Sequence, residues 1–291
     1  MLSRRASSYP KANNMTELLT IEGGALAYDL TGTSGPLVVL AHGMGDSREA
    51  YRFLTPALVE AGYRVAAVDL RGCGESSVEW TSYSRTDIAG DLLALVRHLG
   101  GPAVLVGHSI AGGAVTIAAA TAPELVTAAV ELAPFTRKQA MRLGDLRVAS
   151  FRRGMRYLLA ATLLGSSVQW AKYLDVAYPG PKPADWDTRM SEITTMLSEP
   201  GRMKALQAMG KTTPVDAGQQ LGNVRCPVLV VQGSADPDWA APQAEGEAIV
   251  ADLPTGLGRL EMVDRAGHYP HVQFPTQVAT AMLTFLAGVH A

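Results

Sequence analysis

The sequence predicts an α/β fold: a mostly parallel, twisted sheet with helices on both faces, interrupted by an inserted helical segment. Three observations carry that expectation. Short, continuous apolar runs recur at residues 37–41, 63–68, 102–106, 126–132, 226–232 and 259–263, each of strand length. Segments of helical periodicity separate most of them, and regular alternation of buried strands with helices is the pattern of a parallel sheet. Between residues 136 and 215 the strand pattern stops and only helical stripes are left.

Each element has a local reason. Residues 18–22 and 25–30 flank Gly23-Gly24 and read as a β-hairpin. Residues 49–61 are expected as one helix, with Pro56 near its first turns and Gly62 ending it. Ile88, Leu92, Leu95, Val96 and Leu99 space a helix over 84–99 that stops at Gly100-Gly101. The small residues of 114–120 suit a helix packed closely on the sheet. In the inserted segment Leu143, Leu146, Phe151, Met155 and Leu158 form an apolar stripe opposite Arg142, Arg152, Arg153 and Arg156. A proline-rich loop at 179–183 precedes helices over 186–197 and 203–209, and helices over 241–253 and 276–289 belong to the resumed alternation. The division implied is a disordered tail over 1–14, a core formed by 15–135 and 216–291, and a helical lid over 136–215.

At 291 residues, 47% of them hydrophobic, the chain can bury the core of one α/β domain carrying an insertion. A formal net charge of −2 gives no overall attraction to nucleic acid or anionic membranes. Cys73 and Cys226 are too few for a disulfide-stapled scaffold and read as free thiols of a reducing compartment, so a cytoplasmic location is expected. No apolar run reaches bilayer-spanning length, and Arg4-Arg5 is not followed by the apolar segment that export requires. The histidines lack paired metal-ligand spacing and no phosphate-cradling glycine motif follows a strand, so neither metal nor cofactor is expected.

The chemistry gathers at strand ends. Gly107-His108-Ser109-Ile110-Ala111-Gly112-Gly113 links an apolar strand to a small-residue helix. A serine at such a turn, with glycine two residues before it, is the setting of a nucleophile elbow. A side chain at position 107 is expected to collide with the neighbouring strand. The glycine of the G-x-S-x-G pattern two residues after the serine is Ala111 here, which suggests slightly wider helix–sheet spacing. Serine chemistry also needs a base, an acid that orients it, and backbone N–H donors for the oxyanion. Asp236 follows one apolar strand and His268 follows the next, giving the chain order Ser109, Asp236, His268.

With these segments, and with Leu40-Ala41-His42-Gly43-Met44 and Asp69-Leu70-Arg71-Gly72-Cys73-Gly74-Glu75-Ser76, the chain resembles the α/β-hydrolase-fold superfamily in its serine-nucleophile, esterase- and lipase-like branch. The resemblance implies Ser109 as nucleophile, His268 as general base and then acid, and Asp236 as orienting acid. It implies an oxyanion hole made by the backbone N–H groups of Met44 and Ile110. His42, Gly43, Met141, Phe151, Met155 and Tyr269 are candidate pocket residues, as are Tyr157, Trp170 and Tyr173, although at helical spacing the residues of the inserted segment equally suit its core. The activity implied is cleavage of an ester, thioester or lactone of a small to medium apolar substrate through an acyl-enzyme on Ser109, by a monomer or homodimer with no nucleic-acid partner and no stable membrane insertion.

Alternatives stand beside several of these residues. Asp238 lies two residues from Asp236 and rivals it as the acid, the Gly-x-x-Asp spacing favouring Asp236. His271 rivals His268, but His268 directly follows Gly267. His42 reads better as a residue that holds the oxyanion loop, and His108 is expected to face away from the pocket. Asp69 and Arg71 are expected to fix their loop, and Cys73 to be inert. The basic residues Arg137, Lys138, Arg142, Arg147, Arg152, Arg153 and Arg156 suit a solvated lid face, a surface for acidic lipid, or a site selecting an anionic substrate. The same constellation would also serve a ligand-sensing protein of this fold, a lyase or cyclase, or a cofactor-free perhydrolase or haloperoxidase.

Overall fold

The computed structural model describes residues 16–138 and 142–289; the tail at 1–14 and Met141 lie outside the described residues. Eight strands form one sheet in the order β1-β2-β4-β3-β5-β6-β7-β8. They are β1 (Glu17–Ile21), β2 (Gly24–Thr31), β3 (Leu37–Ala41), β4 (Arg64–Val68), β5 (Ala103–His108), β6 (Val126–Leu132), β7 (Val228–Gly233) and β8 (Gly258–Val263). β1 and β2 form the expected hairpin, and β2 pairs antiparallel with β4. From β4 onward every pairing is parallel, so the α/β expectation is borne out.

The helices are α1 (Leu54–Glu60), α2 (Arg85–His98), α3 (Ile110–Thr121), α4 (Ala149–Leu164), α5 (Ser167–Ala177), α6 (Trp186–Ser198), α7 (Arg202–Gly210), α8 (Val215–Gln220), α9 (Pro242–Asp252), α10 (Pro270–Gln273) and α11 (Pro275–Val289). The helix expected over 49–61 is two pieces, a 3-10 turn at Arg48–Tyr51 and then α1. A proline at position 56 sits comfortably in the first turn of α1, where its missing N–H has no intrahelical acceptor to lose. α3 starts directly after the serine, four residues before the expected helix.

Side-chain alternation along the strands builds two apolar layers. Leu37, Val39 and Ala41 of β3, with Leu105 of β5 and Val230 of β7, face the layer closed by Ile88, Leu92, Val115 and Ile249. Val38, Leu40, Val106, Val130 and Val231 face the opposite layer, closed by Leu54, Leu58, Val278, Met282 and Phe285. The helices between β6 and β7 have a third cluster, which includes Trp170, Tyr173, Leu174, Ile193 and Leu206. Tyr269 and Val272, which follow β8, belong to that third cluster, so the inserted helices and the end of the sheet share one core.

Polar contacts fasten the same junction. Arg52 pairs with Asp185 at 2.5 and 2.8 Å, and Arg189 reaches Asp46 and donates to Ser47 Oγ at 2.8 Å. Arg202 donates to the Ser76 carbonyl at 2.7 Å, and Gln273 to that of Pro179 at 2.8 Å. Among the described residues no helix is long and apolar enough to cross a membrane.

Gly107 tests how tightly the β5–α3 turn is wound. A Cβ there would fall 2.2 Å from the Ala111 carbonyl oxygen, so the obstacle is the first turn of α3 and not the neighbouring strand. Gly107→Ala should therefore lower stability by about 1–3 kcal/mol in chemical denaturation, as overpacking against rigid backbone does. Gly90→Ala, where an added Cβ meets nothing within 4 Å inside a helix, should raise stability by ~0.5–1 kcal/mol.

Candidate active site

Ser109 caps the N-terminus of α3 with φ 55° and ψ −117°, a strained conformation held by its surroundings. Its N–H donates to Leu132 O at 3.0 Å, and its carbonyl accepts from Gly112 and Phe135, each at 3.0 Å. The two glycines after Ala111 are there for different neighbours. A Cβ at Gly112 would sit 2.6 Å from Pro134 Cβ, and one at Gly113 would sit 2.7 Å from Arg85 Cδ. Ala111 itself is fully buried against the sheet, so the small-residue requirement is met there by alanine.

The β3 loop comes up beside the serine. A Cβ at Gly43 would lie 3.1 Å from Ser109 Cβ and 2.7 Å from His108 Nδ1, so the approach depends on glycine. Among the described residues neither the Met44 N–H nor the Ile110 N–H has a hydrogen-bond acceptor. For Ile110 this follows from its position in the first turn of a helix. Gly43, Met44, Ser109 and Ile110 all line one cavity of about 330 Å³.

His268 lines the same cavity. Its Nδ1 donates to Asp236 Oδ2 at 3.0 Å and lies 3.4 Å from Asp238 Oδ2. Asp236 is buried and fully engaged: Gln232 donates to Oδ2 at 2.9 Å, and the Asp238 N–H donates to Oδ1 at 3.0 Å. Asp238 accepts from the Tyr173 hydroxyl of α5 at 2.6 Å. Both aspartates thus reach the imidazole, with Asp236 in hydrogen-bond geometry. Burial opposes charge on His268, but the two carboxylates outweigh it and raise the imidazole pKa. Burial, together with the Asp236 charge, also raises the Asp238 pKa.

His268 is fixed from the inserted helices as well. Its N–H donates to Ala177 O at 2.9 Å, and a Cβ at Gly267 would fall 2.2 Å from that oxygen. His108 donates from Nε2 to the His268 carbonyl at 2.8 Å; burial lowers its pKa, keeping it neutral, and it lies outside the cavity lining. His271 is buried, stacked on Tyr51 at 5.2 Å, and pushed down to about 3 by burial, which suits a packing residue and not a base.

Two expected pocket residues, His42 and Phe151, are placed differently. His42 is fully buried outside the cavity, its Nδ1 donating to Gly43 O at 2.7 Å and its Nε2 accepting from Leu70 N at 3.0 Å, so it braces two loops. Phe151 is buried within the inserted helices and does not reach the cavity. Met141 lies outside the described residues. Met155, Tyr269, Trp170 and Tyr173 do line it. Arg85, Phe135 and Thr212 line it too, and sequence reasoning missed them. The available signal was Arg85 in the first turn of a helix, where an acid is electrostatically favoured.

The neighbouring loops behave as their residues suggest. Asp69 accepts from Arg48 N at 2.7 Å and Glu75 N at 2.8 Å, and Arg71 makes a bidentate pair with Asp91, both contacts at 2.7 Å. Burial pushes the Cys73 thiol up to about 12, leaving it unreactive. Arg142, Arg147, Arg152, Arg153 and Arg156 are exposed, whereas Arg137 pairs with Asp252 at 2.8 Å. Asp236, Asp238 and His268 offer ligand atoms within 4.8 Å of one another, but Nδ1 of His268 already donates to Asp236.

Residues 38–281 match the Alpha/beta hydrolase family. The chain is 32% identical over 273 residues to a protein named provisionally as the non-heme bromoperoxidase BpoC of Mycobacterium tuberculosis, covering 91% of this chain and 99% of that one. It is 29% identical over 263 residues to 2-(acetamidomethylene)succinate hydrolase of Mesorhizobium japonicum, covering 87% and 88%. Its structure resembles a thermophilic esterase from Thermogutta terrifontis with a TM-score of 0.74 at 25% identity, over 95% of this chain and 100% of that one. The family match runs from β3 into α11, leaving out the β1–β2 hairpin, and the elbow and strand-end loops lie inside it. On that match the chain belongs to the alpha/beta hydrolase family.

Proposed function

We propose that the protein is a serine hydrolase that cleaves a carboxylic ester, thioester or lactone through an acyl-enzyme on Ser109. The observation that carries the reading is the strained serine on the wall of the cavity that His268, hydrogen-bonded to Asp236, also lines. In this reading His268 takes the Ser109 proton as the hydroxyl attacks the carbonyl, and Asp236 holds the imidazole in the required tautomer. The N–H groups of Met44 and Ile110 stabilise the oxyanion. His268 then protonates the leaving alcohol, and water attacks the acyl-enzyme by the reverse route. A cavity of about 330 Å³ is at the small end for ligand sites, which favours small to medium substrates.

Serine at the elbow weighs against epoxide opening, which proceeds through a carboxylate nucleophile in this fold. A second reading draws on the likeness to BpoC. Hydrogen peroxide in place of water at the acyl-enzyme would release a peracid, with the peroxide O–O bond kept and one proton passing to His268.

Turnover of p-nitrophenyl esters of increasing chain length tests the main reading. Short esters should be cleaved, and Ser109→Ala should lower kcat by about 10⁶-fold; a variant that kept full activity would remove Ser109 from the mechanism. Adding peroxide and bromide with a carboxylic acid separates the second reading, which requires Ser109-dependent bromination.

The two aspartates make different predictions. Asp236→Asn should cost about 10⁴-fold in kcat, and Asp238→Asn far less. Only neutral His268 can act as base, so a raised pKa moves the acidic limb of the pH–rate profile upward. Removing the Asp238 charge should therefore shift that limb of kcat/KM to lower pH. A limb unchanged in Asp238→Asn would show that its carboxylate does not act on His268.

A further inference from the structure

Four arginines are buried among the described residues: Arg71, Arg85, Arg189 and Arg202. Three have a carboxylate: Arg71 pairs with Asp91, Arg189 with Asp46 and Arg202 with Glu199. Arg85 forms no ion pair with any described residue, although it is only 5% exposed. Asp216, which accepts from Thr86 at 2.9 Å, acts on it only at longer range. A buried cation with no counter-charge is costly unless something completes it. Burial accordingly pulls the Arg85 pKa down to about 10.

Its placement says what it could complete. Arg85 Nε donates to Phe135 O at 2.9 Å and Nη1 to Thr212 Oγ1 at 3.1 Å, while Nη2 has no acceptor among the described residues. Arg85 lines the same cavity as Ser109 and His268. Its stem lies across Gly113, one helical turn (about 6 Å along the axis) beyond Ser109. Phe135, whose carbonyl holds Nε, donates its own N–H to Ser109 O at 3.0 Å, so arginine and nucleophile share one support. Arg137 and Lys138 also line the cavity, and the carboxylate of Asp238, which lines it on the His268 side, is held by Tyr173.

We propose that Arg85 binds a free carboxylate on the substrate, so that the ester cleaved here carries a second, unesterified acid group. This rests on the ester-hydrolase reading. The carboxylate can belong to the acyl part, as in a monoester of a dicarboxylic acid, or to the alcohol. Either way, the guanidinium supplies a fixed, planar, charge-assisted donor that a neutral ester leaves unused.

Binding and turnover test this separately. On the Ser109→Ala protein, calorimetric titration with monomethyl glutarate should show affinity about tenfold or more above that for dimethyl glutarate. Adding Arg85→Gln should bring that ratio to about one, and Arg85→Lys should keep part of it, with thermal melts confirming that each variant folds. In the wild type, p-nitrophenyl hydrogen glutarate and 4-acetoxybenzoate, each against its neutral methyl ester, place the charge on the acyl or the alcohol side. A preference for the charged member of either pair that Arg85→Gln abolishes supports the proposal and assigns the side. Ester turnover with no preference for charge, or a preference that Arg85→Gln leaves intact, overturns the carboxylate site while the hydrolase reading stands. Arg85-dependent carboxylate binding without turnover of any ester supports the site and removes the ester reading instead.

Discussion

The hydrogen bond from His268 Nδ1 to Asp236 Oδ2, 3.0 Å long, is the contact on which the site's geometry depends. Its two ends come from loops after adjacent parallel strands, β7 and β8, so sheet register alone sets their rough separation. The remainder is set by close backbone packing. A Cβ at Gly233, which ends β7, would fall 2.2 Å from Gly267 O, so the two loops meet with no side chain between them. On the other side the Ala177 carbonyl takes the His268 N–H at 2.9 Å. The imidazole is thus held by the sheet through its ring and by the inserted helices through its backbone.

That double attachment makes the inserted helices part of the site. Tyr173 ties α5 to Asp238, and Tyr269 and Val272 pack into the helices' own core. Gly45, with φ 68°, leaves room for Trp170 and Leu206, which an added Cβ would approach at 2.7 and 2.6 Å. The cavity is consequently mixed in character. Met44, Ile110, Met155 and Leu158 give it apolar walls, and Arg85 with Thr212 gives it a polar one. Ser109, the paired imidazole of His268 and a cation without an ion-pair partner among the described residues then line one cavity.

The strands were legible in the sequence because parallel strands buried on both faces read as unbroken apolar runs, and Ser109, Asp236 and His268 because each follows such a run. The helix expected at 49–61 was misjudged because periodicity does not reveal where a 3-10 turn gives way to an α-helix. Phe151 and Met155 lie on one apolar stripe, and nothing in the spacing distinguishes the residue that fills the helical core from the one that reaches the cavity. Asp238 was visible as a rival to Asp236, but its partnership with Tyr173 spans 65 residues and depends on tertiary packing. Arg85 looked like an ordinary first-turn residue; that no carboxylate among the described residues pairs with it is a property of the folded neighbourhood only.

The most direct measurement of the central claim is peptide mapping by mass spectrometry after reaction with a fluorophosphonate. A strained serine activated by the His268–Asp236 pair predicts one adduct, on the peptide carrying Ser109, formed far more slowly in His268→Ala. An adduct on any other residue, or labelling of Ser109 at an undiminished rate without His268, would contradict the account.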